Sequence, residues 1–432
     1  MKIKIALLSL VTASMVLALH GCSTKVDNAA QPVDKDIALY QGRPLQPWHI
    51  VIDNQGNNQL LNGAFARLSD ETITITTSDK LFKDDALTVK FEEAWDGEVY
   101  MSHGRPLDLT QYIEKGTLAF DFNSIDMKSA NLQTSINCGD NCNNVIDLWP
   151  YAKEFEGKGW QKIAIPLSCF SSSRADFSAV AKPFAITFSG TGEFSFSNIT
   201  ITRESTANFD CPNQDTLTTH PQPLRAFWAD EWWPNRVEEK KTTQSGDEKL
   251  LLVGDSITHG WEQDSGQAVW QKHFSDVSTL NLGFGGNRTE NVLWLAEQGL
   301  LDNLNAKLTV IMIGTNNTGH RMDSPESIHD GVKAIVQTVT QKIPTSKVLL
   351  LAIFPRGTDD NDKLRINNQK TNVLLKKLAK NQGILFADIN ASFLTKDKIL
   401  SKDIMPDLLH PNAKGYEIWA QQLTPYVDKY VR

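Results

Sequence analysis

Apolar and polar positions alternate in short runs through the first half of the chain. The clearest are Thr72-Ile73-Thr74-Ile75, Leu87-Thr88-Val89-Lys90-Phe91, Leu118-Ala119-Phe120-Asp121-Phe122, Ile163-Ala164-Ile165, Ile186-Thr187-Phe188 and Phe194-Ser195-Phe196. A period of two sends successive side chains to opposite faces of a strand, so each run buries one face. Runs this short, broken by Gly, Asn, Asp and Ser, predict an antiparallel all-β sandwich over residues 39–205. From Lys249 the pattern changes. Five apolar runs, Leu250 to Val253, Thr279 to Leu282, Leu308 to Ile313, Val348 to Ile353 and Ile384 to Ile389, are separated by segments long enough for helical crossovers. They predict an α/β domain over 228–432, a doubly wound five-stranded parallel sheet. Its last helix carries Tyr416, Trp419, Ala420 and Leu423 on one face, with Pro425 expected to kink or end it. A polar connector, 206–227, joins the two domains.

In a doubly wound sheet ligands sit beyond the carboxyl ends of the strands, and the chemistry-bearing residues of this chain fall in those loops. The first apolar run ends in Gly254-Asp255-Ser256-Ile257-Thr258, which sets a serine on a turn where a helix begins, beside backbone N–H groups suited to an oxyanion. Thr258 stands where the Gly-x-Ser-x-Gly elbow has its second glycine. By itself such a serine is more often an N-cap than a nucleophile. Three further blocks follow later strands: Gly283-Phe284-Gly285-Gly286-Asn287-Arg288-Thr289-Glu290-Asn291, then Gly314-Thr315-Asn316-Asn317, and finally Asp407-Leu408-Leu409-His410-Pro411.

Together these four ordered blocks resemble the SGNH, or GDSL-family, serine esterases, over roughly Trp228 to the C-terminus. Within that superfamily the likeness is to the catalytic subunits of brain platelet-activating-factor acetylhydrolase and to bacterial carbohydrate acetylesterases. The resemblance implies a flavodoxin-like fold with Ser256 as nucleophile and Asp407 and His410 completing a catalytic triad. It implies an oxyanion hole of the Ser256 and Gly286 backbone N–H groups and the Asn316 side chain. The residue types suit these roles: a neutral serine needs a base, histidine has a suitable pKa, and a carboxylate three residues earlier can hold the imidazole tautomer. One departure is Asn317, where many superfamily members carry Asp.

Composition narrows the setting. A formal net charge of −8 and the lack of a basic run argue against nucleic acid as partner. Lys2 and Lys4 precede an apolar stretch from Ile5 to Leu19, followed by His20-Gly21-Cys22. This resembles a bacterial lipoprotein signal over 1–21, implying lipidation of Cys22, a tether over 22–38 and, from Ser23, an outer-membrane address facing periplasm or exterior. His20 departs from the usual small residue, and plain secretion is the alternative. With Cys22 set aside, Cys138, Cys142, Cys169 and Cys211 remain, an even number suited to an exported protein with disulfides. Of three connectivities, Cys138–Cys142 with Cys169–Cys211 is the expectation. A zinc site would need partner histidines that the neighbouring sequence lacks.

Other features point less sharply. Gly283-Phe284-Gly285-Gly286 partly matches a dinucleotide loop, but Arg288 replaces its last glycine, and no cofactor is expected. His259 and His320 follow the first and third blocks and face the cleft as wall residues, substrate contacts or metal ligands. Trp228, Trp232, Trp233, Trp261 and Trp270 are read as packing residues, with a sugar-stacking platform as the alternative. The stretch from Cys138 through Val145-Ile146-Asp147-Leu148 and Trp160 to Cys169-Phe170 resembles the galactose-binding-like domain of some family 3 β-glucan hydrolases of marine bacteria. That likeness implies polysaccharide binding, with Trp95, Trp149 and Trp160 read as core residues first and as candidate sugar contacts second. The reading that follows is an exported esterase removing acetyl groups from carbohydrates. A lysophospholipase or thioesterase, or a non-catalytic carbohydrate-binding lipoprotein, are the rivals.

Overall fold

The computed structural model describes residues 31–32, 35–138, 143–172, 175–203, 206–211 and 213–432. Cys22 and Cys142 lie outside them, so the lipidation site and the Cys138–Cys142 pairing do too. Cys169 and Cys211 are disulfide-bonded, with a Cα–Cα distance of 5.8 Å.

Residues with period-two alternation build one ten-stranded antiparallel sheet. Three strands are far longer than the runs that announced them: Ala86–Ser102, Thr117–Asn137 and Lys182–Thr202. The two expected strands around Ile186 and Phe194 are one. Its register against Ala86–Ser102 shifts at Gly190 and Gly192 without breaking the strand. A Cβ at Gly190 would sit 1.9 Å from the Ser129 carbonyl oxygen, and its φ is +88°. The glycines therefore make a bulge where the sequence pattern reads as a break. Bending lets the two ends of each long strand serve different neighbours. Ala86–Ser102 pairs Ile73–Ser78 with its first part and His49–Asn54 with its last. The folded-over sheet encloses a core that includes Phe91, Phe120, Phe122, Phe184, Phe194 and Phe196.

The second half forms a five-stranded all-parallel sheet, in which Thr279–Gly283 and Leu308–Met312 flank Leu250–Gly254, followed by Lys347–Leu351 and Leu385–Ala387. Both faces are covered. Leu251, Val253 and Ile311 pack into one helical layer, while Leu250, Leu252, Val310 and Met312 pack into the other. That is why these runs are apolar throughout, each buried Leu or Val contributing roughly 1.5–3 kcal/mol. The last helix, Ala413–Tyr430, starts at Asn412, whose side chain accepts from the N–H groups of Lys414 and Gly415. It runs through Pro425 rather than ending there. The lost hydrogen bond frees the carbonyl of Gln421, an exposed residue on the solvent side, where water replaces the donor. Among the described residues no helix is long and apolar enough to cross a membrane.

Candidate active site

The turn after Leu250–Gly254 brings Ser256 to the carboxyl edge of the sheet. Asp255, not the serine, caps the short helix Ser256–His259: its Oδ1 accepts the Ile257 N–H at 3.0 Å. Burial pushes the Asp255 carboxyl up to about 6. With capping done by its neighbour, the Ser256 hydroxyl is free to meet His410, Oγ to Nε2 at 2.8 Å.

His410 and Asp407 arrive in one tight loop. Leu408 between them adopts a left-handed φ of +60°, and its carbonyl accepts the Gly357 N–H at 2.9 Å. Asp407 Oδ2 lies 2.6 Å from His410 Nδ1, while Oδ1 accepts the backbone N–H groups of Leu409 at 3.0 Å and His410 at 2.7 Å. Partial burial pushes the carboxyl up. The hydrogen bonds from His410 and Leu409 outweigh it and hold Asp407 below the ordinary carboxylate range.

The loop after Thr279–Gly283 runs past the serine. Gly286 has φ +74°, and a Cβ there would meet the Trp228 indole at 2.2 Å. Only glycine fits this backbone with the ring pressed on it. A Cβ at neighbouring Gly285 would lie 3.9 Å from Ser256 Cβ and 3.3 Å from the Trp232 ring. Asn316, 6 % exposed, donates one amide hydrogen to the Asn287 carbonyl at 3.0 Å, which leaves its second N–H available. The structure thus brings Ser256, His410 and Asp407 into one hydrogen-bonded chain, with the loop carrying Gly286 beside Ser256.

Several supporting residues were not singled out from the sequence. Buried Glu290 bridges Arg288 at 2.7 Å and Arg321 at 2.6 Å, and Arg321 also pairs with Asp323 at 2.6 Å. Burial raises the Glu290 carboxyl, but the two guanidiniums outweigh it and hold it down to about 2. Asn317 donates to Asp323 at 3.0 Å and Glu290 at 3.3 Å, and accepts the Thr289 N–H at 3.0 Å. An amide suits this position, because an aspartate here would set a third carboxylate against Glu290 and Asp323. Arg356 donates to the Thr315 carbonyl at 2.9 Å, bracing the residue before Asn316. The signal available in the sequence was the pair of spacings Arg288-x-Glu290, in the second block, and Arg321-x-Asp323, just past the third.

Aromatic residues form one wall. Trp228 and Trp232 stack with centroids 6.4 Å apart, and Trp232 stacks on His259 at 5.9 Å. Burial and the nearby Arg236 push His259 down to about 4. His320 opens onto the cleft, where its enclosing walls and Arg288, Arg321 and Arg356 push it down to about 3. Among the described residues no cluster of His, Cys, Asp and Glu could hold a metal ion. Trp233 and Trp261 are core residues, each 2 % exposed, and Trp149 is buried at 3 %. Trp95 and Trp228 depart from the packing reading: they are 80 % and 39 % exposed.

Residues 46–201 match the galactose-binding domain-like family, and residues 252–418 match the GDSL-like lipase/acylhydrolase family. The chain is 32 % identical over 206 residues to human platelet-activating factor acetylhydrolase IB subunit alpha1, covering 47 % of this chain and 86 % of that protein. Among solved structures, the extra C-terminal domain of an exo-1,3/1,4-beta-glucanase from a Pseudoalteromonas species is 17 % identical, covering 41 % of this chain and 97 % of its own at a TM-score of 0.34. A carbohydrate acetylesterase from Sinorhizobium meliloti is 19 % identical, covering 42 % of this chain and 99 % of its own at a TM-score of 0.35. The chain belongs to the GDSL-like lipase/acylhydrolase family and is an ester hydrolase whose acylhydrolase domain follows a galactose-binding-like one.

Proposed function

We propose that this protein is an exported serine esterase that removes short acyl groups, chiefly acetyl, from carbohydrates. The observation that carries the reading is the unbroken hydrogen-bonded chain from Ser256 through His410 to Asp407. His410 Nε2 takes the hydroxyl proton as Ser256 Oγ attacks the ester carbonyl, and Asp407 stabilises the imidazolium that forms. The negative charge on the carbonyl oxygen is met by the N–H groups of Ser256 and Gly286 and by Asn316. His410 then passes its proton to the leaving sugar oxygen. A water, deprotonated by the same imidazole, attacks the acyl-enzyme and releases acetate and free Ser256.

Acetyl preference is supported by the acetylhydrolase relative, and a carbohydrate substrate by the galactose-binding-like domain. Export rests on the N-terminal signal-like segment and the Cys169–Cys211 disulfide. Lipid attachment at Cys22, to the outer membrane, belongs to the same proposal. Acetate release from p-nitrophenyl acetate and O-acetylated xylo-oligosaccharides, compared between wild type and Ser256→Ala, tests it. Release from both by wild type, lost in the variant, is expected. Release that survives Ser256→Ala would overturn the nucleophile, and activity confined to long-chain lipid esters would overturn the carbohydrate assignment.

A further inference from the structure

The outward face of the β domain turns a row of polar side chains toward the esterase. Sheet register sets Asp147 opposite Gln133, Gln133 opposite Thr187, Thr187 opposite Glu98, and Glu98 opposite Asp53, across five neighbouring strands. Residues directly opposite in a ladder share a face, so all five point the same way, while their chain neighbours Ile146, Leu132, Ile186, Val99 and Ile52 fill the core.

Between this row and the helix Thr315–Arg321 lie two cavities of about 460 Å³ and 360 Å³. They adjoin, with Asp96, Gln133, Thr187, Gly319 and His320 lining both. The larger one also reaches Trp228, the ring pressed on Gly286. The cleft thus borders the oxyanion loop at Trp228 and Arg288 and runs out along the sheet.

We propose that this cleft is an oligosaccharide subsite, in which the β domain holds a neutral sugar chain whose acylated unit is presented to Ser256. The assignment rests on the esterase reading above and names its substrate's binding site. Two indoles line the larger cavity, Trp95 on the sheet side at 80 % exposed and Trp228 on the esterase side at 39 %. Trp95, left that open, gains little from packing, and its flat face suits the apolar face of a pyranose ring. Around the rings stand carboxamides and hydroxyls, among them Gln55, Asn131, Gln133, Thr187 and Ser189. An alkyl chain would strip these groups of water and return no hydrogen bonds, whereas sugar hydroxyls replace the water. Charges of both signs also line it, Asp96 and Asp147 facing Arg225 and Arg288, so a polyanion meets carboxylates and a polycation meets guanidiniums. A neutral chain meets neither penalty.

Trp95→Ala and Gln133→Ala test the subsite, because both positions lie on the sheet surface. The readout is the ratio of kcat/KM for O-acetylated xylo-, manno- and gluco-oligosaccharides to kcat/KM for p-nitrophenyl acetate. Each variant is expected to lower that ratio about tenfold, mainly through KM, and to weaken binding of the same oligosaccharides to the Ser256→Ala protein by a similar factor in calorimetry. A ratio within threefold of wild type in both variants, with the sugars still deacetylated, overturns the subsite and leaves the esterase reading standing. A wild-type protein that cleaves p-nitrophenyl acetate but neither binds nor deacetylates any of the oligosaccharides overturns both the subsite and the carbohydrate assignment.

Discussion

The two sides of the cleft hold their side chains by different means. On the esterase side the candidate site groups and their supports are locked by short, directed contacts: Asp407 receives the His410 ring and two backbone N–H groups, Asn316 is tied to Asn287, and Glu290 is clamped by two arginines. On the sheet side, register arrays Asp147, Gln133 and Thr187, Asp147 being held further by the Trp149 N–H at 3.1 Å, and Trp95 stands open to solvent. Under the proposed function the two sides have different tasks. Bond-making chemistry is lost when groups drift by an ångström, and so demands preorganisation. Recognition of a hydrated sugar chain tolerates solvated, adaptable groups, because water and hydroxyls compete for the same donors and acceptors.

That contrast can be broken by substitution. The largest effect is expected from His410→Ala, which should lower kcat for p-nitrophenyl acetate by roughly 10⁴-fold or more while leaving the thermal transition near wild type. A loss below tenfold would mean that the hydrogen-bonded chain is not the catalytic one. Glu290→Gln should cost about 3–5 kcal/mol in urea unfolding, since it leaves two buried guanidiniums short of a carboxylate. A stability change under 1 kcal/mol would show that the clamp is dispensable. Asn316→Ala should reduce kcat by about 10²–10³-fold with little change in KM, the signature of a donor used in the transition state. Asp255→Ala removes the cap on the serine helix and is expected to cost roughly 0.5–2 kcal/mol, read from the same urea melts.

The smallest effect concerns pH. His259 and His320 have folded-state pKa values of about 4 and about 3, below the ordinary 6.5. Between those values and 6.5 the unfolded chain binds more protons, so stability is complete above pH 6.5 and declines as pH falls through the window. Replacing both with Gln should flatten the fall in Tm between pH 6.5 and 4. An unchanged slope would assign the acid sensitivity to other groups.

The parallel sheet and its chemistry were legible because both are written locally. Apolar runs of strand length suit burial on both faces, and the motif blocks at Ser256, Gly286 and Asn316 each follow directly on the end of such a run. Asp407 and His410 lie three apart, so one turn suffices to join them. The β domain was legible in its alternation but not in its strand lengths. Whether Gly190 and Gly192 break a strand or bulge within it depends on the Ser129 carbonyl packed against Gly190, a group on another strand and far away in the sequence. The exposure of Trp95 was illegible for a similar reason, as a tryptophan on an alternating strand reads the same whether its face meets a core or a cleft.

What the sequence by itself determined was the order of elements, the face each strand buries, and the residue types capable of acyl transfer, because periodicity and short spacings survive without tertiary context. Tertiary structure alone decided that Ser256 meets His410, that Glu290 joins Arg288 to Arg321, and that Asp147, Gln133 and Thr187 line up opposite His320. Those outcomes depend on register and on packing between segments far apart in the chain, and no local pattern encodes which distant groups will meet.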